Sequence, residues 1–411
     1  MTAPMCLIIN RFADEYSRYA SYLDDSDAQL WLISTKIDGM PGFRRSDFAK
    51  VDLVAGLDWA TVKQTLDSDP VASAAVRHVV AISEYDLELG AAVREYLGVK
   101  GYSAEYIRRF KDKGYSKSLV TGGGVRTPEW MPVQPGMSAH SIDATWSYPV
   151  VVKPISGAAS SGVRVCADRA ELQEKLNGLD PALEWEAERF VPGALYHCDG
   201  YAENGVLGYL STSMYIGSCA SFNDGRPLGS VSIQHTPQAQ ILADGVERSL
   251  RALGLENGVF HLEAFIDNGE FVFLEIGHRP GGGEILWVTH RYGGVDLMSV
   301  AVRLSCDLPA LQGGAPAPPP PAGSFGWVMC SAMGQTGKLV RSVSARGALP
   351  PGVTIARAAF PGQVVPDDPE YDFTGVSAHV YADSPAEATA AIERLLDVVV
   401  IEYQDSCAGA S

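Results

Sequence analysis

Two glutamates, Glu263 and Glu275, interrupt neighbouring apolar segments within residues 258–283, and this feature constrains the chain more than any other. Asn268 and Gly269 lie between the segments, and both residue types accept the positive φ of a tight turn. The stretch therefore predicts a β-hairpin that brings the two carboxylates to one face. Buried carboxylates that lie together are unfavourable unless a cation separates them. The hairpin thus predicts a cation site.

An arginine and a run of glycines follow the hairpin directly. Arg279 comes four residues after Glu275, and three consecutive glycines begin at Gly281. An arginine can pair with a phosphate, while glycines leave backbone N–H groups open to a ligand. Two carboxylates, an arginine and open backbone together predict a place where Mg²⁺ and a phosphate are bound.

The composition indicates an ordinary globular protein and disfavours several classes of partner. A chain of 411 residues is long enough for roughly two to four domains. The net charge of −17 disfavours nucleic acid and anionic membranes, because both require a basic surface. Neither an apolar run of about 18 residues nor a signal-peptide pattern is present, so a cytoplasmic location is the expectation. The seven scattered cysteines contain no Cys-x-x-Cys pair, which predicts reduced thiols.

Short apolar segments alternate with helical spacers over the first part of the chain. This alternation predicts a doubly wound parallel sheet, because the intervening helices bury each strand on both faces. No Gly-x-Gly-x-x-Gly follows the first segment, so no dinucleotide site is expected there. The strands expected in this part are 6–10, 30–34, 51–55 and 78–82, and the helices are 87–97 and 103–113.

The middle of the chain contains a strand that ends near Lys153 and runs into a small-residue loop at 157–162. Such a loop can fold over a ligand and offer it backbone N–H groups. Residues 221–235 and 284–292 are also expected to be loops, and the proline-rich stretch 313–321 predicts an extended linker. Further strands are expected at 147–154, 163–166, 185–191, 196–201, 206–215, 259–266, 271–276, 325–330, 338–343, 353–358 and 376–381, and helices at 170–176, 245–253, 295–304 and 384–396.

Phosphoryl transfer requires cations on the phosphates, carboxylates on Mg²⁺ and a cover that excludes water. Lys153 can reach a phosphate, and the loop at 157–162 can cover it. Arg279 can bridge a transferring phosphate. Each assignment has a plainer alternative, with Lys153 as a solvated strand-end residue and Arg279 as a partner of one of the glutamates.

The order of these features resembles the ATP-grasp superfamily of carboxylate–amine ligases. The resemblance is carried by Asp112-Lys113 and then, in order along the chain, by segments 151–154, 157–162, 188–193, 261–263 and 274–283. Part of the last segment reads Glu-Ile-Gly-x-Arg-x-Gly-Gly-Gly, which is similar to the L-amino acid ligase (dipeptide synthetase) branch.

The resemblance implies an α/β and α+β multidomain protein with the ATP-grasp fold. It places an N-terminal Rossmann-like α/β domain at 1–115 and a small lid subdomain at 116–192. A large subdomain with the Mg-ATP site is expected at 193–312, and a small C-terminal α+β domain at 313–411. A homodimer is a further expectation at the level of the family.

The resemblance also implies cofactors and site residues. ATP and one or two Mg²⁺ ions are expected, with Mn²⁺ as an alternative metal. The implied roles are phosphate binding by Lys113 and Lys153, loop contacts by Gly157, Ser160, Ser161 and Gly162, adenine binding by Glu188, Phe190 and Val191, Mg²⁺ binding by Glu263 and Glu275, and catalysis by Arg279.

Two positions depart from the family pattern. Leu195 stands where many members have a carboxylate that contacts the ribose, and we expect His197 or Asp199 to replace it. Gly277 stands where many members have an asparagine that binds a second Mg²⁺ ion. That ion is therefore expected to be held more loosely, or by Glu275 bridging both ions.

Residues around and beyond the end of the hairpin are candidates for contacts with the substrate. They are His278, Gly282, Glu284, His290 and Arg291. The plainer alternatives are a structural role for the histidine that follows the hairpin, and helix-capping or surface roles for the charged residues.

The expected reaction joins the carboxylate of a small amino acid or related acid to an amine, through an acyl phosphate, with release of ADP and phosphate. A place in natural-product biosynthesis and small-molecule substrates are expected. One alternative is a carboxylase-type enzyme of the same fold that acts on bicarbonate or a purine precursor. Another is a catalytically silent nucleotide-binding module, which the presence of both glutamates, Lys153 and Arg279 disfavours.

Overall fold

Four β-sheets organise the computed structural model, which describes residues 3–12, 18–37, 43–157, 161–366 and 373–405. The elements around the first sheet are β1 Met5–Asn10, α1 Tyr19–Tyr22, β2 Gln29–Ser34, β3 Lys50–Leu53, α2 Trp59–Asp67, α3 Pro70–Ala75, β4 Val76–Ala81, α4 Leu87–Leu97, α5 Ala104–Lys111 and α6 Lys113–Gly122. The second sheet and its helices comprise β5 Trp130–Val133, α7 Ala139–Asp143, β6 Val150–Pro154, β7 Arg164–Cys166, α8 Arg169–Asn177 and β8 Trp185–Arg189.

The remaining elements build the third and fourth sheets. Those of the third sheet are β9 Leu195–Glu203, β10 Val206–Ile216, α9 Cys219–Phe222, β11 Leu228–Ser232, α10 Pro237–Leu253, β12 Gly258–Asp267, β13 Glu270–Gly277, α11 Ile285–Gly293, α12 Leu297–Leu304, β14 Ser324–Ser331, β16 Val353–Ala358, β17 Thr374–Ala382 and α13 Pro385–Val398. The fourth sheet pairs β15 Leu339–Ala345 with β18 Val399–Gln404.

The first sheet is parallel throughout, which confirms the prediction from the alternating pattern. Its order is β3-β2-β1-β4, and Ile8 of β1 lies between Leu32 of β2 and Val80 of β4. All six residues of β1 are buried, because apolar side chains pack against both faces of the strand. β2 pairs with one side of β1, and β4 later pairs with the other side. The strand order therefore reverses at β1, which leaves a crevice at the carboxyl ends of these strands. Glu84 follows β4 at this end.

The second sheet is antiparallel, in the order β5-β8-β6-β7, and its two faces differ in chemistry. Along β8, Trp185 and Ala187 join an apolar core that includes residues of α8. Glu186 and Glu188 alternate with them and therefore point to the opposite face. That face meets α6, where Lys117 contacts both glutamates. The contact connects the second sheet to the helix that follows the first sheet.

The third sheet contains the predicted hairpin. It is antiparallel throughout, in the order β13-β12-β9-β10-β11-β14-β17-β16. Asn268 and Gly269 have positive φ in the turn between β12 and β13, which confirms the predicted turn chemistry. Phe260 and Leu262 are fully buried in a core that includes residues of α10. Glu263 alternates with these residues and therefore faces the other side of the sheet.

A buried strand, β11, lies within residues 221–235, where a loop was predicted, and that prediction was wrong. All five residues of β11 are buried, and the strand lies between β10 and β14. The neighbouring backbone approaches closely, so that a Cβ on Gly229 would lie 2.8 Å from the carbonyl oxygen of Trp327. Small residues fit this packing, and the same residues give the segment the composition of a loop.

The helices around the first and third sheets differ in part from their predicted bounds. The helix expected at 103–113 is two helices, because Asp112 has extended backbone and caps α6 by accepting a hydrogen bond of 2.9 Å from Tyr115 N. α10 begins at Pro237 instead of at residue 245, and Thr236 caps it. Among the described residues, none of the helices combines the length and apolar character needed to cross a bilayer.

The C-terminal residues extend the third sheet. β14 pairs with β11, and β17 and β16 continue the sheet beyond it, so the sheet crosses the boundary predicted at 313. The predicted domain boundaries, including the one at 313, stay predictions. α11 packs its buried side against β14, although residues 284–292 were expected to be a loop. Its apolar residues recur at helical spacing, which is the signal that the loop prediction overlooked.

Truncation of Leu242 should destabilise the protein, because this side chain is fully buried between α10 and the third sheet. Leu242→Ala leaves a cavity and is expected to lower the free energy of unfolding by about 2–5 kcal/mol. Leu183→Ala is the matched control at a leucine that is 44% exposed, and it should change that free energy by less than about 0.5 kcal/mol. Urea unfolding followed by circular dichroism compares the two variants. Equal unfolding midpoints would contradict the assigned core.

Candidate active site

Glu263 and Glu275 are paired in register across the hairpin, which confirms that the two side chains lie on one face of the sheet. β12 and β13 pair them in register, and β9 places His197 opposite Glu263 on the other side. The hydroxyl of Tyr215 donates a hydrogen bond of 3.0 Å to Glu263 Oε1. Two adjacent carboxylates fit Mg²⁺, which prefers oxygen ligands and retains several waters.

Lys113 connects the hairpin to the loop of the second sheet. Its Nζ lies 3.5 Å from Glu275 Oε2 and donates a hydrogen bond of 3.0 Å to the carbonyl oxygen of Gly157. Burial alone would raise the pKa of Glu275, but Lys113 and Lys153 outweigh burial and hold that pKa below its usual value. Glu275 is therefore ionised at neutral pH and suited to bind a cation.

Lys153 belongs to a buried group of four charges. Its Nζ lies 2.9 Å from Glu188 Oε2 and 3.8 Å from Glu186 Oε1. Lys117 Nζ lies 2.7 Å from Glu186 Oε1 and also pairs with Glu188 Oε1. Glu188 is thus held by two lysines, so its predicted side-chain contact with adenine would require an exchange of partners.

Lys117 and Glu186 were not among the predicted site residues. Two features of the sequence could have indicated them. Glu186 and Glu188 alternate with apolar residues, which places both on one face of a strand. Lys113 and Lys117 are four residues apart, which places both on one side of a helix.

Arg279 is held by a carboxylate beside the first sheet. Its Nε donates a hydrogen bond of 2.8 Å to Glu84 Oε2, and its Nη1 donates one of 2.8 Å to the carbonyl oxygen of Pro280. The plainer alternative, a pair between Arg279 and a hairpin glutamate, does not occur among the described residues. Gly277 leaves room for the observed pair, because a Cβ there would lie 3.3 Å from both Arg279 Cγ and Glu84 Oε2.

Glu275, Lys113 and Arg279 line one cleft, to which the first, second and third sheets contribute, whereas Glu263 and Lys153 are not part of its lining. The cleft has a volume of about 420 Å³, including space open to solvent. Its lining comprises Glu84, Phe110, Lys111, Lys113, Ser116, Gly157, His261, Glu275, Ile276, Gly277 and Arg279. Four predicted site residues, namely Lys113, Gly157, Glu275 and Arg279, are therefore brought together. Glu84 was not predicted, because its partner is distant in the sequence and no local pattern marks it.

A buried histidine–aspartate–histidine group lies beside the hairpin. Asp199 Oδ2 lies 2.5 Å from His197 Nδ1, and Asp199 Oδ1 lies 2.8 Å from His261 Nδ1. His197 Nε2 lies 2.5 Å from Ser230 Oγ. The three titratable side chains have atom types that bind metals, but their short separations indicate hydrogen bonds among themselves.

This group includes both residues of the predicted ribose contact. Both ring nitrogens of His197 and both carboxylate oxygens of Asp199 already have protein partners. A contact with the ribose in place of the missing carboxylate at Leu195 would therefore require an exchange of partners, and it stays a prediction. Burial would oppose charge here, yet the attraction between the partners lowers the pKa of Asp199 and raises the pKa of His261 to about 9. His261 thereby adds a positive charge to the cleft.

In the sequence, the predicted loop residues lie between β6 and β7, and the predicted adenine residues lie in β8 or directly after it. Ser160 lies outside the described residues, while Ser161 and Gly162 are exposed. Phe190 is partly exposed and Val191 is buried, and both follow the end of β8. Their contacts with a nucleotide stay predictions.

Two of the predicted substrate residues have structural partners instead. The ring of His278 packs among Tyr102, Tyr106 and Phe110, at centroid distances of 5.0, 6.0 and 5.1 Å. Glu284 is buried, and its carboxylate oxygens pair with side chains of β16 and β17, Arg357 Nη2 at 2.7 Å and His379 Nε2 at 2.8 Å. These contacts favour the structural role for His278 and give Glu284 the role of joining the glycine run to the C-terminal strands.

The other three predicted substrate residues are exposed. His290 and Arg291 lie in the last turn of α11, where positive charge is favourable for the helix, and neither lines the cleft. Gly282 is exposed, and no atom lies within 4 Å of the position that a Cβ would occupy. The position of Gly282 leaves its backbone open to a ligand, so that contact stays a prediction.

Comparisons with known proteins identify similar sequences and similar folds. Residues 146–287 match the family model described as ATP-grasp domain. Dapdiamide A synthase of Enterobacter agglomerans is 28% identical over 147 residues, which cover 33% of this chain and 34% of that protein. The chain spans from about a third to about half of the length of the first curated relatives that it matches.

Solved structures match the whole chain in fold. The L-amino acid ligase of Bacillus licheniformis has a TM-score of 0.74 at 19% identity, with coverage of 98% of this chain and 100% of that one. The biotin carboxylase domain of Hydrogenobacter thermophilus 2-oxoglutarate carboxylase has a TM-score of 0.68 at 16% identity, with coverage of 98% and 92%. Identities this low show the fold alone, and that fold is the ATP-grasp fold that the resemblance implied.

His278 should make the protein sensitive to mild acid. Burial lowers the pKa of His278 to about 4, below the ordinary value of about 6.5. Unfolding therefore takes up a proton between these values, so stability is retained above about pH 6.5 and falls as the pH decreases toward 4. At pH 5 the loss from this group should be about 2 kcal/mol.

The comparison of wild type with His278→Leu isolates this effect, because leucine has a similar volume and does not titrate. Urea unfolding at pH 7 and pH 5 gives the change in unfolding free energy for each protein. The wild type should lose more stability than the variant. Equal losses would show that His278 is protonated as readily in the folded state as in the unfolded state.

Proposed function

We propose that the chain is an ATP-dependent ligase of the ATP-grasp superfamily. It joins the carboxylate of a small amino acid, or of a related acid, to an amine. The observation that carries the proposal is one cleft in which the hairpin carboxylate Glu275, opposed to Glu263, lies with Lys113 and Arg279. This constellation has the charges that phosphoryl transfer to a carboxylate requires.

The reaction has two steps. In the first, an oxygen of the substrate carboxylate attacks the γ-phosphorus of ATP, the bond to the β-phosphate oxygen breaks, and ADP leaves. In the second, the nitrogen of a neutral amine attacks the carbonyl carbon of the acyl phosphate. Phosphate leaves with the electrons of the broken bond, the nitrogen loses a proton, and an amide remains. A protein nucleophile is not required in either step.

The residues of the cleft and of its surroundings have distinct roles in this scheme. Lys113 and Lys153 bind phosphates of ATP. Glu263 and Glu275 would hold Mg²⁺, which when bound neutralises charge on the phosphates. Arg279 offsets the charge of the transferring phosphoryl group, and the hydrogen bond to Glu84 fixes the direction of its guanidinium.

The comparisons support amino acids as the substrate class. One similar protein is named dapdiamide A synthase, and one similar structure is named L-amino acid ligase. We therefore propose a product of the dipeptide type and a place in the biosynthesis of a small natural product. The carboxylase alternative is supported by the likeness in fold to a biotin carboxylase domain, whose structure holds bicarbonate.

A pairwise panel of amino acids distinguishes these alternatives. Each pair is incubated with Mg²⁺ and ATP, phosphate release is measured, and the products are analysed by mass spectrometry. We expect phosphate release that depends on two amino acids or related acids, together with a product whose mass equals their sum less one water. Turnover that requires bicarbonate would support the carboxylase, and the absence of ATP turnover with every acid–amine pair and with bicarbonate would favour the silent module.

Glu275→Gln should remove the activity while leaving the fold intact. The amide keeps the shape of the side chain but removes a negative charge from the proposed metal site, so ADP formation should fall by at least about a hundredfold. Glu270→Gln is the matched control, because Glu270 is exposed at the start of the same strand. Circular dichroism should show the same fold for both variants. Activity of Glu275→Gln within tenfold of the wild type would contradict the proposed metal site.

A further inference from the structure

The buried group formed by Lys117, Lys153, Glu186 and Glu188 lies between α6 and the second sheet, and it includes one lysine that has no role in the proposed reaction. Lys117 is 0% exposed, and its ammonium group pairs with both Glu186 and Glu188. Lys153 pairs with Glu188 from the other side, at 2.9 Å. The two oxygens of Glu188 thus each have a different lysine as their partner. A ligand that binds the ammonium group of Lys153 would have to compete with Glu188 for that group.

The surroundings keep Lys117 in this position. It lies on α6, one helical turn beyond Lys113, and its Nζ is 5.0 Å from the centre of the Trp130 ring. Lys113 contacts the cleft, whereas Lys117 is enclosed between α6 and β8. Helix α6 therefore presents one lysine to the proposed nucleotide site and one to the carboxylates behind it.

We propose that Lys117 is a positioning residue for nucleotide binding. It neutralises Glu188, so that Lys153 can exchange this carboxylate for a phosphate of ATP without leaving a buried negative charge unpaired. The inference rests on the proposed function, because it takes a nucleoside triphosphate as the ligand of Lys153. Lys117 does not touch the nucleotide in this scheme and acts through Glu188 alone.

The charge balance of the group explains why Lys117 is needed. Glu186 Oε2 is buried and lacks a hydrogen-bond partner among the described residues, and burial raises the pKa of Glu186. Glu186 is therefore the carboxylate that more readily becomes neutral. With Glu186 neutral, Lys117 and Glu188 form a balanced pair, and the charge of Lys153 is available to a phosphate. Without Lys117, Lys153 would be the only cation that pairs with Glu188. If Lys153 then bound a phosphate instead, the buried negative charge of Glu188 would be left unpaired.

Binding of AMP-PNP, a non-hydrolysable ATP analogue, tests the proposal in the full-length protein. The dissociation constant is measured by isothermal titration calorimetry in the presence of Mg²⁺. Lys117→Met keeps the length of the side chain but removes its charge, and it should weaken binding at least tenfold. Lys63→Met is the matched control, because Lys63 pairs with Asp67 on the exposed side of α2. It should leave the dissociation constant within twofold of the wild-type value.

The background of Glu188→Gln separates positioning from a general structural effect. Without a charge at position 188, Lys117 has no carboxylate there to neutralise. Lys117→Met should then change the dissociation constant by less than threefold when Glu188→Gln and the double variant are compared. A tenfold or larger loss in this background would overturn the proposal. This comparison between Glu188→Gln and the double variant can also be made if Lys117→Met alone fails to fold. In the double variant residue 188 is neutral, so the loss of Lys117 leaves no unpaired carboxylate there.

The outcomes separate this inference from the proposed function. If the wild type binds AMP-PNP and Lys117→Met binds it equally well, the inference fails while the nucleotide site stands. If the wild type does not bind AMP-PNP, the proposed function and the inference both fail. Weaker binding in the single variant, together with little effect in the Glu188→Gln background, supports the inference.

Discussion

The structure of the site depends on the electrostatic consequence of placing Glu263 opposite Glu275 on hydrogen-bonded strands. Two neighbouring carboxylates repel each other, so the surrounding protein has to supply positive charge or bind a cation. Lys113 supplies part of it and lowers the pKa of Glu275 together with Lys153. In the proposed function, a divalent cation with its phosphate ligands supplies the rest.

The same requirement explains how the sheets are connected at the cleft. Lys113 contacts the hairpin of the third sheet and the carbonyl oxygen of Gly157 after the second sheet. Arg279 extends from the end of the hairpin to Glu84 beside the first sheet. Each contact joins segments that are far apart in the sequence.

Features that depend on interactions between residues close in the sequence were predicted, and features that depend on distant contacts were not. The hairpin was predicted because Asn268 and Gly269 specify the turn locally, and the first sheet because its strands are apolar along their whole length. β11 was missed because its small residues are explained only by the close approach of β14. The hydrogen bonds of His197 with Asp199 and Ser230 were not predicted, because the sequence does not indicate either partner.

The sequence by itself determined the hairpin and the four strands of the parallel first sheet, and it identified the residues that we propose bind Mg²⁺ and phosphate. These properties depend on turn chemistry, on apolar periodicity and on the cost of burying charge, all of which act over a few residues. Only the tertiary structure decided that Arg279 pairs with Glu84, 195 residues away. It also decided that Lys117 supports Glu188 and that the C-terminal strands extend the third sheet. Such pairs depend on how whole sheets pack against one another, and the local sequence does not determine that packing.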